Sequence, residues 1–128
     1  MLRIQQHQLK SFADETRRGF VRMMDAYLRE HFTGWVRKLP REDCETWVRA
    51  ALAKCELYDV TTEPEAAQLI LLLLILGLDA DDSTPWVRET LGDGSLLPIG
   101  KVRKLIRLAR AQGVNHLDDI VLHDDMNE

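Results

Sequence analysis

The run Leu69-Ile70-Leu71-Leu72-Leu73-Leu74-Ile75-Leu76 decides the fold of this chain. It follows Thr62-Glu63-Pro64-Glu65, where a capping threonine, an early proline and a glutamate three residues after the cap are typical of a helix start. A membrane span needs about 20 apolar residues, whereas this stretch is shorter and has acids at both ends. Because the run is apolar on every side, it predicts a central helix surrounded by others.

Four further helices are predicted from apolar residues that recur at three- and four-residue spacing. The first should end at Thr33-Gly34, the second follows Pro40, the fourth begins at Thr84-Pro85, and the fifth runs from about Pro98 to Ala111. Residues 79–84 are predicted to form a polar loop. We therefore predict an all-α, compact bundle of about five helices with a central apolar helix, in which residues 1–114 form a single domain and residues 115–128 an acidic, mobile C-terminal tail.

The composition favours one folded core and argues against two classes of partner. Of the 128 residues, 45% are hydrophobic and 30% are charged, which is too apolar for a disordered chain. The formal net charge of -4 would repel nucleic acid and anionic lipid. We therefore expect neither nucleic acid nor a membrane as the principal partner.

Two features of the sequence favour the cytoplasm. Polar residues interrupt the apolar ones in the opening MLRIQQHQLKSF, so the continuous apolar core of a secretory signal is missing. Cys44 and Cys55 fall on one predicted helix about 16 Å apart along its axis, too far apart for a disulfide between them. Two unpaired cysteines are typical of a reducing compartment.

A search for catalytic or metal-binding patterns finds none that is complete. The four histidines are dispersed, and no HExxH or Cys/His metal spacing occurs. Asp79, Asp81 and Ser83 resemble the start of a calcium loop, but Thr84 stands where that loop requires glycine. The acidic residues look solvated, with no pocket to separate their pKa values. We therefore expect no cofactor and no metal, and a protein that binds and is not an enzyme.

Candidate binding residues fall into two groups. Lys101, Arg103, Lys104, Arg107 and Arg110 give the fifth helix five bases and no acid, which is either a solvated face or a surface for an acidic partner. The acidic tail could fold back and neutralise this face. Trp35 and Trp86 lie at helix boundaries, where a large aromatic side chain serves either the core or an interface.

Several short motifs carry a resemblance to a known family. They are Ile4-Gln5-x-x-Gln8-Leu9, Tyr27-Leu28-Arg29-x-x-Phe32, Tyr58-x-Val60-Thr61-Thr62-Glu63, and Gly77-x-Asp79 followed by Trp86. Across roughly residues 2–108 the chain resembles a family of small helical accessory proteins encoded beside type VI secretion effectors and their delivery chaperones. Tyr58-Asp59-Val60 departs from the Tyr-Gly-Ile expected in that family.

The resemblance implies an adaptor or co-chaperone that binds a secretion effector, its larger delivery chaperone, or both, and it implies no catalytic residue. One alternative is an immunity protein that blocks a toxin effector, since such proteins often use dense charge of one sign. Another is a helical ligand-binding protein or small enzyme with its site between helices. A homodimer also stays open as an assembly state.

Overall fold

A computed structural model describes residues 14–39 and 43–120, with the side chain of Ile120 excepted. Those residues form eight helices and no strand, which confirms the all-α prediction. The helices are α1 (Asp14–His31), α2 (Thr33–Arg37), α3 (Cys44–Leu57), α4 (Glu63–Leu76), α5 (Ala80–Ser83), α6 (Pro85–Leu91), α7 (Pro98–Ala111) and α8 (Leu117–Ile120).

The apolar helix α4 is the centre of the bundle, as predicted. Every residue from Ala66 to Leu74 is buried, and α3, α7 and α8 all pack against this helix. Pro64 lies in its first turn beside Glu63 and Glu65, where acids are favourable at the positive end of the helix dipole. The helix ends at Gly77, whose φ of 108° suits a residue without a Cβ atom.

The count of about five helices was too low. The five predicted helices correspond to α1, α3, α4, α6 and α7, whereas α2, α5 and α8 have only four or five residues each. Such segments are too short to display a 3.6-residue period. The predicted stop at Thr33-Gly34 marks the end of α1, but the chain resumes as α2 at once, and the predicted polar loop contains α5.

Helix α1 packs against α3 on one side of the central helix. Trp47 is buried in α3 as its periodic position predicted, and Cys44 and Cys55 are free and buried. Burial raises the pKa of both thiols, to about 12 for Cys44. Both cysteines therefore act as small apolar side chains of the core.

The segment predicted as an acidic tail begins inside the described chain. Leu117 is buried in the hydrophobic core, and α8 packs against α4 and α7. Residues 121–128 lie outside the described residues, as do residues 1–13 with the first motif of the resemblance. Through Asp118 and Asp119, α8 contributes acidic side chains to the candidate site.

Candidate protein-binding site

Trp35 lies half-buried in α2, on the wall of an open groove with a volume of about 480 Å³. We call this groove the Trp35 groove. The end of α1, the start of α2 and one residue of α8 form its walls. Its lining residues are Tyr27, His31, Phe32, Thr33, Gly34, Trp35 and Asp119.

Ring contacts fix the aromatic side chains of the Trp35 groove. The Tyr27 ring lies 4.6 Å from the His31 ring and 6.1 Å from the Phe32 ring, between centroids. His116 meets Trp35 in a T-shaped contact at 5.5 Å, and the Lys38 ammonium lies 5.0 Å from the Trp35 ring centroid. Such contacts favour one ring orientation, so the groove is preformed.

Local backbone geometry brings these rings together. Phe32, between α1 and α2, is buried and anchors the bend to the core. The Thr33 hydroxyl donates to the Arg29 carbonyl at 3.0 Å and so closes the end of α1. His116 has a φ of 71°, an uncommon conformation outside glycine. That conformation turns the chain between α7 and α8 and places its ring beside Trp35.

The other candidate tryptophan does not line the Trp35 groove. Trp86 is half-buried at the start of α6 and packs against the hydrophobic core. Its backbone carbonyl accepts a hydrogen bond of 2.7 Å from the Thr90 hydroxyl, within the same helix. The structure therefore does not unite the two tryptophans in one groove.

The candidate basic residues of α7 divide into an exposed stripe and a buried lysine. Arg103, Arg107 and Arg110 are exposed at i, i+4 and i+7 on one face of the helix, and Lys104 beside them is half-buried. Lys101 is only 5% exposed, and its Nζ donates to the Tyr58 backbone carbonyl at 2.7 Å. This lysine joins α7 to the end of α3.

The spacing between Lys101 and other residues of α7 could have revealed that Lys101 is buried. This lysine precedes the buried Leu105 by four residues, so both lie on the core side of α7. Arg103, Arg107 and Arg110 lie on the opposite, exposed side of α7. The stripe therefore consists of Arg103, Arg107 and Arg110, and we call it the arginine stripe.

Asp118, an acidic side chain of α8, contacts the arginine stripe. The Arg110 guanidinium lies 3.3 Å from the Asp118 carboxylate, and both side chains are largely exposed. Asp118 belongs to the segment predicted as an acidic tail, so one residue of that segment pairs with Arg110 of this face. Helix α8 therefore contributes to both features, with Asp118 at the arginine stripe and Asp119 in the wall of the Trp35 groove.

A buried polar cluster lies under the start of α7, and sequence reasoning missed it. The Asp81 carboxylate accepts hydrogen bonds from Lys54 Nζ at 2.8 and 3.0 Å and from the Tyr58 hydroxyl at 2.7 Å. Asp81 is 2% exposed, although the sequence suggested a solvated carboxylate in a loop. No short motif links these residues, because Asp81 lies 27 positions from Lys54 and 23 from Tyr58.

The charges in this cluster stabilise one another. Burial raises the pKa of Asp81, but hydrogen bonds from Lys54 and Tyr58 outweigh that effect and hold it below its usual value. The hydrogen bond to Asp81 raises the pKa of Lys54, and burial followed by the contact with Asp81 raises that of Tyr58 to about 12. Asp81 and Lys54 are therefore both charged at neutral pH, and Tyr58 keeps its proton.

This cluster predicts how stability depends on pH. The pKa of Asp81 is lowered by folding, so its contribution is present above the unfolded value of about 3.9 and is lost as pH falls through the folded value. We expect the free energy of unfolding of the wild type to converge on that of Asp81→Asn between about pH 5 and pH 2. Urea titrations across this range measure the gap, and a constant gap would contradict the assignment.

A second open groove, of about 350 Å³, lies between α1 and α3. Arg17 beside it holds Glu56 through two hydrogen bonds of 3.0 and 2.9 Å, and Arg49 pairs with Glu45. Two of its arginines are thus engaged in joining or stabilising the helices. Its lining residues are Asp14, Arg17, Arg18, Val21, Arg49 and Leu52.

Three comparisons complete the description of the site. No protein family, no curated protein and no solved structure matches this chain.

Within residues 14–39 and 43–120, no three His, Cys, Asp or Glu side chains group closely enough to hold a metal ion. None of the helices described above combines the length and the apolar character that a membrane crossing requires.

Proposed function

We propose that this protein is a protein-binding accessory factor of the cytoplasm, an adaptor or co-chaperone that holds a type VI secretion effector or its larger delivery chaperone. The observation that carries the proposal is the Trp35 groove, with its open aromatic wall. The motif resemblance supports the choice of partner class. The protein acts by binding and not by catalysis.

The groove has the properties of a binding hot spot. Tryptophan is enriched among the residues that dominate binding energy, above all where a pocket excludes water around them. The Trp35 ring is held from two directions by His116 and Lys38, so little conformational freedom is lost when a partner covers it. A partner that inserts an apolar side chain between Tyr27 and Trp35 would bury preordered aromatic surface.

Trp35→Ala tests this proposal directly. We expect the tagged variant to recover at least tenfold less partner than the wild type from native cells, because removing a hot-spot residue costs about 2 kcal/mol or more of binding energy. Quantitative mass spectrometry of the bound fraction measures the ratio, and the melting temperature shows whether the variant is folded.

Trp86→Ala is the matched control, since it removes a half-buried tryptophan outside the groove. It should recover the partner at the wild-type level. Equal recovery by wild type and a folded Trp35→Ala variant would overturn the role of the groove. Recovery of no effector and no chaperone by the wild type would overturn the proposed function itself.

The second candidate function is that of an immunity protein, and the arginine stripe favours it. Three exposed cations on one helix face suit a toxin whose active-site rim is acidic. Expression of the captured partner in cells that lack this protein separates the two functions. Growth arrest relieved by this protein would favour immunity, whereas a lower effector level without growth arrest would favour the adaptor.

A further inference from the structure

The outward face of α7 is longer than the arginine stripe. Ile99 lies four residues before Arg103, so Ile99, Arg103, Arg107 and Arg110 fall within an arc of about 80° that extends about 16 Å along the helix. All four side chains are exposed. This face therefore has an apolar end at the start of α7 and three cations toward its end.

Another exposed apolar side chain, that of Leu97, lies at the same end. In the part of the chain that the structure describes, the large hydrophobic side chains that are exposed are Leu57 at 66%, Leu97 at 73% and Ile99 at 38%. Leu97 immediately precedes α7 and Ile99 lies in its first turn, whereas Leu57 ends α3. Neighbouring exposed apolar side chains are a mark of contact sites, and Leu97 and Ile99 precede the cations on α7.

The charge of this face is opposite to that of the whole protein. The formal net charge is -4, yet α7 has five bases and no acid. The contact between Arg110 and the Asp118 carboxylate, at 3.3 Å, shows that a carboxylate from a neighbouring helix can reach the arginine stripe. The complementary surface is thus acidic and has an apolar end.

We propose that the outward face of α7 docks an acidic amphipathic helix of the partner protein, and this proposal rests on the proposed function. Carboxylates at i, i+4 and i+7 of that helix pair with the arginine stripe, and an apolar residue at one end covers Leu97 and Ile99. Helices recognised in this way present anchors at such spacings along one face.

A protein fits this face better than the other polyanions. Nucleic acid would leave the apolar end without a contact, and the net charge of -4 repels both nucleic acid and anionic lipid. Exposed charge pairs are individually weak, so the arginine stripe serves to steer and orient the partner. The apolar end and the Trp35 groove supply most of the affinity.

A synthetic helical peptide tests the proposal without the native partner. It bears glutamates at i, i+4 and i+7 and a leucine at one end, and it is titrated into isotope-labelled full-length protein at low salt. We expect saturable changes in the amide spectrum confined to α7 and the residues directly before it, with a dissociation constant of about 1 mM or tighter. A peptide with glutamine in place of glutamate should give at least tenfold weaker binding.

Two matched pairs of substitutions locate the interaction. Arg103→Glu with Arg107→Glu should abolish the response, whereas Arg18→Glu with Arg22→Glu should retain it. Both pairs are exposed arginines four residues apart on a helix, and both change the net charge equally. Equal loss in the two double variants would show only a general effect of charge and would overturn the proposal.

Further measurements distinguish a partner helix from other ligands of the outward face of α7. Tighter binding of duplex DNA, or of vesicles that contain anionic phosphatidylglycerol, at the same α7 amides would overturn a protein partner. Neutralising Asp124, Asp125 and Glu128 in the full chain tests the protein's own C-terminal segment. Changes at α7 before any peptide is added would assign the face to that segment instead. These results do not depend on Trp35, so they are independent of the pull-down that tests the proposed function.

Discussion

Replacing Asp81 by alanine is expected to lower the free energy of unfolding by about 3 kcal/mol, near the lower end of the range for breaking a buried ion pair. The carboxylate accepts hydrogen bonds from Lys54 and from Tyr58, so its loss leaves an ammonium and a hydroxyl without their acceptor. Lys54 retains some contact with water, which limits the cost. Urea unfolding measures the loss, and a fall of roughly 10 °C in melting temperature should accompany it.

Asp82→Ala is the control within the same helix. Its carboxylate lies 3.9 Å from Lys54 Nζ, but the side chain is 77% exposed. An exposed charge pair contributes at most about 1 kcal/mol, so the loss should be under a third of that at Asp81. Equal losses at the two positions would contradict the view that burial and the Tyr58 hydrogen bond make the contribution of Asp81 to the free energy of unfolding the larger one.

The parts of the fold that could be predicted are those in which the sequence of one helix shows which of its faces are buried. The run that forms α4 is apolar on every side, and every residue from Ala66 to Leu74 is buried. The cysteine and tryptophan positions of α3 were likewise predicted by their spacing. Local periodicity carries this information because it reports which faces of a helix meet other elements.

The unpredicted parts depend on residues that are distant in sequence. Asp81 looked solvated because the segment around it is polar, and its partners Lys54 and Tyr58 lie in α3 and directly after it. The candidate site likewise depends on residues that are distant in sequence. Trp35 could be identified as a boundary aromatic residue, but the contact with His116 brings together residues 81 positions apart. A sequence pattern reports on residues that are near one another along the chain, so it does not predict such a contact.

Leu72→Ala is expected to cause the second large loss of stability, about 3 to 4 kcal/mol. Leu72 lies in the middle of α4 and has no exposed surface, and the neighbouring helices α3, α7 and α8 pack against this helix. Alanine removes buried carbon atoms and leaves a cavity that a close-packed interior closes only in part. Urea unfolding of the variant measures the effect, and its slope with urea concentration shows whether the native state stays compact.

Leu57→Ala is the matched control, because it makes the same chemical change at a helical residue that is 66% exposed. Alanine is also the better helix former, so the expected change is below about 0.5 kcal/mol. A large loss at Leu57 would mean that this side chain is covered in solution, which would point to self-association through the surface at the end of α3. A small loss at Leu72 would mean that α4 is not the centre about which the bundle packs.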